Sequence, residues 1–167
     1  HLKTRWKSHG DVKIHVTMNQ KIKDIKDPVT GDDKLNFNFL PHFSSENLGV
    51  LVHTVQHYGL DDKAPTYNRK DFKDIYKFLQ MEAGKRQTLF YPESSYWVSF
   101  DIDVPLFLPV YAHRRLDGLR KIANAEIDGR LGRGTFSGSR MDGQILFSSG
   151  WEWGYWLNDV VAARSAW

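Results

Sequence analysis

There is no cysteine anywhere in the 167 residues. That excludes a disulfide framework, a thiolate metal site and a cysteine nucleophile. It does not fix the compartment, because many exported bacterial proteins also lack cysteine; an extracellular or periplasmic location is the one favoured. Long hydrophobic runs are missing too. None approaches the roughly 18 residues that a membrane-spanning helix needs, so no membrane partner is expected. Charge of one sign is scarce: 23 Lys+Arg against 20 Asp+Glu leave a formal net charge of +3. So small and dispersed an excess does not mark a nucleic-acid binder. The seven histidines show no His-Glu-x-x-His or other close zinc spacing, and neither a resident metal nor a cofactor is expected. Ser94, Ser148 and Ser149 lack the G-x-S-x-G elbow of a serine hydrolase. Gly132-Arg133-Gly134-Thr135 does not sit between a strand and a helix as a phosphate-cradling loop must.

What is present is apolar and aromatic. Hydrophobic residues make up 41% and aromatic residues 14%, with six Trp, seven Tyr and ten Phe, enough for one sizeable core and against disorder. We expect a single domain over residues 1–167, cut from a longer polypeptide. The chain opens at His1 without an initiator Met or an apolar leader, and stops at Trp167 inside a predicted helix with no Gly or Pro to end it. The alternative for His1 is a processed amino terminus that chelates copper through its amino group and imidazole.

Val12, Ile14, Val16 and Met18 alternate with polar residues and predict a strand over 12–18. Lys13, Lys21, Lys23 and Lys26 read as a solvated surface, and the basic stretch 21–26 runs into the turn 27–33. Residues 35–40 alternate and fit a short strand. Residues 48–55 are nearly continuous in apolar side chains, as in a strand buried on both faces. A helix over 69–83 carries the stripe Phe72, Ile75, Tyr76, Leu79 and Ala83, with Asn68 as its N-cap, Asp71 in its first turn and Gly84 at its end. Strands over 87–91 and 144–148 and helices over 106–125 and 153–166 complete the series. Pro105 suits the first turn of the 106–125 helix, and the glycine-rich stretch 129–143 reads as a loop. Strands alternating with helices predict an α/β fold, a mostly parallel sheet with flanking helices that makes about half of a (β/α)8 barrel. A small complete α+β domain is the alternative.

In parallel sheets ligands bind beyond the carboxyl ends of the strands, so the residues that follow each strand are the candidates. They are Asn19 after the first, then Gln56, His57 and Tyr58, then Glu93, Tyr96 and Trp97, and finally Trp151, Glu152 and Trp153. Amides and carboxylates hydrogen-bond hydroxyl pairs, and Trp and Tyr faces cover the C–H face of a pyranose. This combination suits a carbohydrate ligand. Two carboxyl groups are the usual equipment for glycoside hydrolysis. Glu93 and Glu152 therefore read as the catalytic pair, with neighbouring aromatics raising the pKa of whichever is the acid. Each could instead pair with an arginine or, for Glu152, favour a helix start. Asp101-Ile102-Asp103 forms a DxD of the kind that holds a divalent cation against a diphosphate in glycosyltransferases, or else caps a helix.

The segments Tyr91-Pro92-Glu93-Ser94-Ser95-Tyr96-Trp97 and Ser149-Gly150-Trp151-Glu152-Trp153-Gly154-Tyr155-Trp156 resemble the strand-end loops of (β/α)-barrel glycoside hydrolases, over about 100 residues from Leu48 onward. The resemblance is one of style, without a family motif matched letter by letter. It implies carboxylates and aromatics gathered on the carboxyl-terminal face of a barrel, and a protein that binds and cleaves a glycan. Half a barrel would leave apolar edges open to the rest of its own chain or to another copy. The alternatives are a non-catalytic carbohydrate-binding or interaction module and a metal-dependent glycosyltransferase using Asp101 and Asp103.

Overall fold

The structure is a computed structural model that describes residues 11–12, 21–54, 58–64, 69–92, 109–132, 140–145 and 159–165, without the side chains of 11, 12 and 109–111. A ribbon comes early in the chain, after the short strand β1 (Asp11–Val12). In it β2 (Lys21–Lys23) and β3 (Lys34–Asn36) pair antiparallel. Asp27 ties the turn between them. Its Oδ1 accepts from the amides of Val29 and Thr30 at 2.8 and 2.9 Å, and its Oδ2 from Asn36 N–H at 2.8 Å. Gly31 takes φ +84° in this turn, a conformation other residues rarely adopt. Lys21, Lys23 and Lys26 are exposed, as a solvated basic surface should be.

The alternation over 35–40 is not a strand beyond Asn36. Asn36 accepts the amide of Asn38 at 3.0 Å and caps a 3-10 helix, Phe37–Phe43, which contains Pro41. Proline has no N–H for a ladder but tolerates this tighter turn. Phe39 is thereby buried, its ring 5.2 Å from that of Phe78.

The main sheet has β4 (Gly49–Thr54), β5 (Thr88–Pro92) and β6 (Gly143–Gln144), with order β1-β4-β5-β6 and every pairing parallel. Helix α1 (Lys73–Glu82) joins β4 to β5, and α2 (Pro109–Ile127) lies between β5 and β6. Residues 159–164 form a further helical segment, α3. Val50, Val52, Thr88 and Phe90 are buried on one face, in the core that Ile75, Leu79 and Ile122 complete. On the other face Leu51, His53 and Leu89 are half-buried. Strand 49–54 is therefore fully covered on one side only, not on both as its apolar run suggests.

The expectation of half a (β/α)8 barrel does not hold. The arrangement is α+β: a separate antiparallel ribbon and a 3-10 helix occupy the link from β1 to β4, where a barrel unit would need one crossover helix. The edge strand β6 is only two residues long. Among the described residues the ordered helices of any length are α1 and α2.

Helix α1 starts later than residue 69. The backbones of Ala64 and Arg69 exchange two hydrogen bonds of 3.1 Å, holding that stretch out of the helix. Asp71 then receives Lys73 N–H at 3.0 Å, and Gly84 closes the far end at φ +78°. The apolar stripe of this helix is buried throughout: Phe72, Ile75, Tyr76, Leu79 and Ala83. Helix α2 is described from Pro109 onward, and Pro105 lies outside the described residues. Residues 13–18, Asn68, 106–108, 133–139 and 146–158 lie outside the described residues, and with them much of the predicted strands 12–18 and 144–148 and of the last helix.

Candidate functional site

Because β4, β5 and β6 are parallel, their carboxyl ends lie side by side. Thr54 is opposite Pro92, and Phe90 is opposite Gln144. Three segments leave from this edge. The chain passes from Thr54 into residues 55–57, from Pro92 into Glu93 and onward, and from Ile145 toward Glu152. Glu93 follows the last residue of β5 directly in the sequence. Asn19, Gln56, His57, Glu93, Tyr96, Trp97, Asp101, Asp103, Trp151, Glu152 and Trp153 all lie outside the described residues. Tyr58 is described. It is half-buried against the core, its ring 6.1 Å from that of Phe72 and tilted 31° to it.

One side chain organises the exits of β5 and β6. Arg115 of α2 is 4% exposed. Its Nη1 donates to the Pro92 carbonyl at 3.1 Å, its Nη2 to the Ile145 carbonyl at 3.0 Å, and its Nε to Gln144 Oε1 at 2.9 Å. Gln144 in turn donates its side-chain amide to the Ala162 carbonyl at 3.0 Å, which ties α3 to the same corner. The planar fork of arginine suits several fixed acceptors at once. Burial pulls the Arg115 pKa down to about 10, with Asp159 and Tyr91 acting in the opposite direction, so it remains a cation at neutral pH. The carbonyls it holds belong to the residue before Glu93 and to the residue that follows β6. Sequence reasoning did not single out Arg115. The available signal was its place in the helix, three residues from Ala112 and seven from Ile122, on the face that buries both.

Beside this corner His53 and Tyr91 are paired across β4 and β5, their rings stacked 5.3 Å apart at 21°. The stack lies on the face of the sheet where His53 is half-buried and Tyr91 is buried. Thr54 is fully buried and its Oγ1 has no hydrogen-bond partner among the described residues.

A second buried polar cluster lies at the opposite end of β5. Glu82 Oε2 is 2.6 Å from Arg86 Nε and its Oε1 is 2.6 Å from His42 Nδ1. The Arg86 guanidinium also donates to the carbonyl of Pro41 at 3.1 Å and to Ser44 Oγ at 2.9 Å. This network fastens the 3-10 helix to the end of α1. It sits at the amino-terminal edge of the sheet, the edge where polar networks in parallel folds serve stability.

Among the described residues no group of three or more His, Asp or Glu side chains is placed to hold a metal ion. No described helix is long and apolar enough to cross a membrane. No family model, curated protein or solved structure matches this chain.

Proposed function

We propose that this is a carbohydrate-active protein of glycoside-hydrolase type, with Glu93 and Glu152 as its acid and its nucleophile or base. The observation that supports the reading is the Arg115 clamp. A buried guanidinium holds the Pro92 and Ile145 carbonyls at 3.1 and 3.0 Å, so the segments that carry the two glutamates leave from adjacent points of one sheet edge. Those segments also carry Tyr96, Trp97, Trp151 and Trp153, rings suited to the apolar face of a sugar. With Gln56 and His57 starting from the neighbouring strand, a glycan would meet amides, carboxylates and aromatics together.

In this reading the acid protonates the glycosidic oxygen while the second carboxylate attacks the anomeric carbon or activates water. A carboxyl separation of about 5–5.5 Å gives retention, and about 6.5–9.5 Å gives inversion.

The test is hydrolysis of a panel of aryl glycosides and natural oligosaccharides by the purified chain. Activity that falls at least about 100-fold in both Glu93→Gln and Glu152→Gln, with sugar binding kept, supports the pair. Binding without turnover, unchanged in both variants, replaces the enzyme with a carbohydrate-binding module. Metal-dependent binding of a nucleotide sugar, lost in Asp101→Asn and Asp103→Asn, replaces it with a glycosyltransferase.

A further inference from the structure

Along α2 a cleft of about 430 Å³ opens between the helix and residues 59–62. Two ion pairs cross it. Lys121 Nζ lies 2.6 and 2.7 Å from the two carboxylate oxygens of Asp61, and Arg114 Nε lies 2.7 Å from Asp62 Oδ2. Arg114 and Lys121 are seven residues apart, which separates the two clasps by about 10 Å along the helix. Between them Gly118 brings the helix against the core, where an added Cβ would stand 3.4 Å from Phe90 Cε1. Neither carboxylate is loose. Asp62 also accepts Gly59 N–H at 2.7 Å, and the ammonium that holds Asp61 sits 4.8 Å from the centre of the Tyr76 ring.

The charges lining the cleft cancel. Among the described residues Asp61, Asp62 and Asp117 oppose Arg114, Arg120 and Lys121. A balanced lining does not concentrate either an anion or a cation, which argues against a phosphate or a metal ion. Carboxylates accept only, and ammonium and guanidinium groups donate only. A ligand that meets both kinds at fixed spacing needs groups that donate and accept at once, and neighbouring hydroxyls do so. Asn124 adds an exposed amide with both capacities at the same wall. The volume falls in the range of small-molecule sites.

We infer that this cleft binds a neutral polyhydroxylated ring, one unit of a carbohydrate, with vicinal hydroxyls seated between the Asp61–Lys121 and Asp62–Arg114 pairs. Neither Glu93 nor Glu152 enters the argument, so this inference does not rest on the proposed reaction.

The experiment is a titration of the isotope-labelled chain, followed by amide NMR, with glucose, mannose, galactose and xylose, and with glycine and inorganic phosphate as charged probes. The expected result is saturable shifts confined to amides of residues 59–62 and 114–124 for at least one sugar, with a dissociation constant on the order of 1 mM. Asp61→Asn should weaken that binding about tenfold. Asn124→Phe, at an exposed position, should abolish it by filling the cleft without entering the core. Both effects should persist in Glu93→Gln and Glu152→Gln, so failure of the proposed hydrolysis and failure of this site are read separately. Absence of saturable shifts with every sugar overturns the inference. So does phosphate or glycine moving these amides at lower concentration than any sugar, or binding that survives Asn124→Phe.

Discussion

Replacing Arg115 with methionine keeps most of the side-chain volume but removes the fork that joins α2 to the exits of β5 and β6. Three hydrogen bonds are lost, to Pro92 O, Ile145 O and Gln144 Oε1. Bonds from a charged donor contribute roughly 1.5–3 kcal/mol each. The opposing cost of keeping the charge inside shows in the fall of its pKa to about 10, which corresponds to roughly 3 kcal/mol. The net loss expected for Arg115→Met is on the order of 2–5 kcal/mol. For a chain of this size each kcal/mol shifts Tm by roughly 2–4 °C. Urea unfolding followed by tryptophan fluorescence reads the change, and Arg115→Lys should fall between wild type and Arg115→Met. The sign with pH follows from the lowered pKa. From about pH 10 up to the ordinary arginine value the unfolded chain binds the extra proton, so this group's penalty is full at neutral pH and is relieved as pH rises above about 10. A loss below about 0.5 kcal/mol, the size of an ordinary surface substitution, would refute the clamp. With it would go the physical support for placing the Glu93 and Glu152 segments at one edge.

The Glu82–Arg86–His42 cluster should be sensitive to loss of its carboxylate. Glu82→Ala strands a buried guanidinium and should cost about 3–5 kcal/mol, read from the shift in urea midpoint at constant slope; a change under about 1 kcal/mol contradicts the ion-pair account. Tyr76 behaves oppositely. Its hydroxyl is buried without a hydrogen-bond partner among the described residues, and burial raises its pKa above 10.0. Its neutral form is favoured in the native state, so its contribution is full below pH 10.0 and lost as pH rises through the raised value. Tyr76→Phe should be neutral or stabilising at pH 7 and should lessen the alkaline loss. An unchanged alkaline profile in chemical denaturation would speak against it.

Several elements were legible because a local pattern alone decided them. The stripe from Phe72 to Ala83 has helical spacing, and a glycine at position 84 supplies the left-handed residue that ends the helix. The turn 27–33 announces itself through Asp, Pro and Gly. Residues 35–40 misled because period-2 alternation also occurs where a short strand runs straight into a capped 3-10 helix. The capping bond from Asn38 to Asn36 is a choice between two local options that hydrophobicity does not record.

The overall arrangement was less legible. Alternating strands and helices imply repeated crossover units only if each connection holds a helix, and the link from β1 to β4 holds a ribbon instead. Nothing in the alternation of residues 21–23 and 34–36 distinguishes a strand that joins the main sheet from one that pairs with its own neighbour. That outcome depends on which partner the Asp27 turn brings within hydrogen-bonding distance.

By itself the sequence determined the absence of thiol chemistry, the location of the main helix and of the strands at 49–54 and 88–92, and which residues follow each strand. These depend on covalent composition and on periodicity, both local properties. Only the tertiary structure decided that the exits of β5 and β6 are held by one buried arginine, and that Asp61 and Asp62 face Lys121 and Arg114 across a cleft. Those pairs are separated by some 20 to 60 positions in the chain. Contacts at such separations follow from how parallel strands and their helices pack, and no window of neighbouring residues contains them.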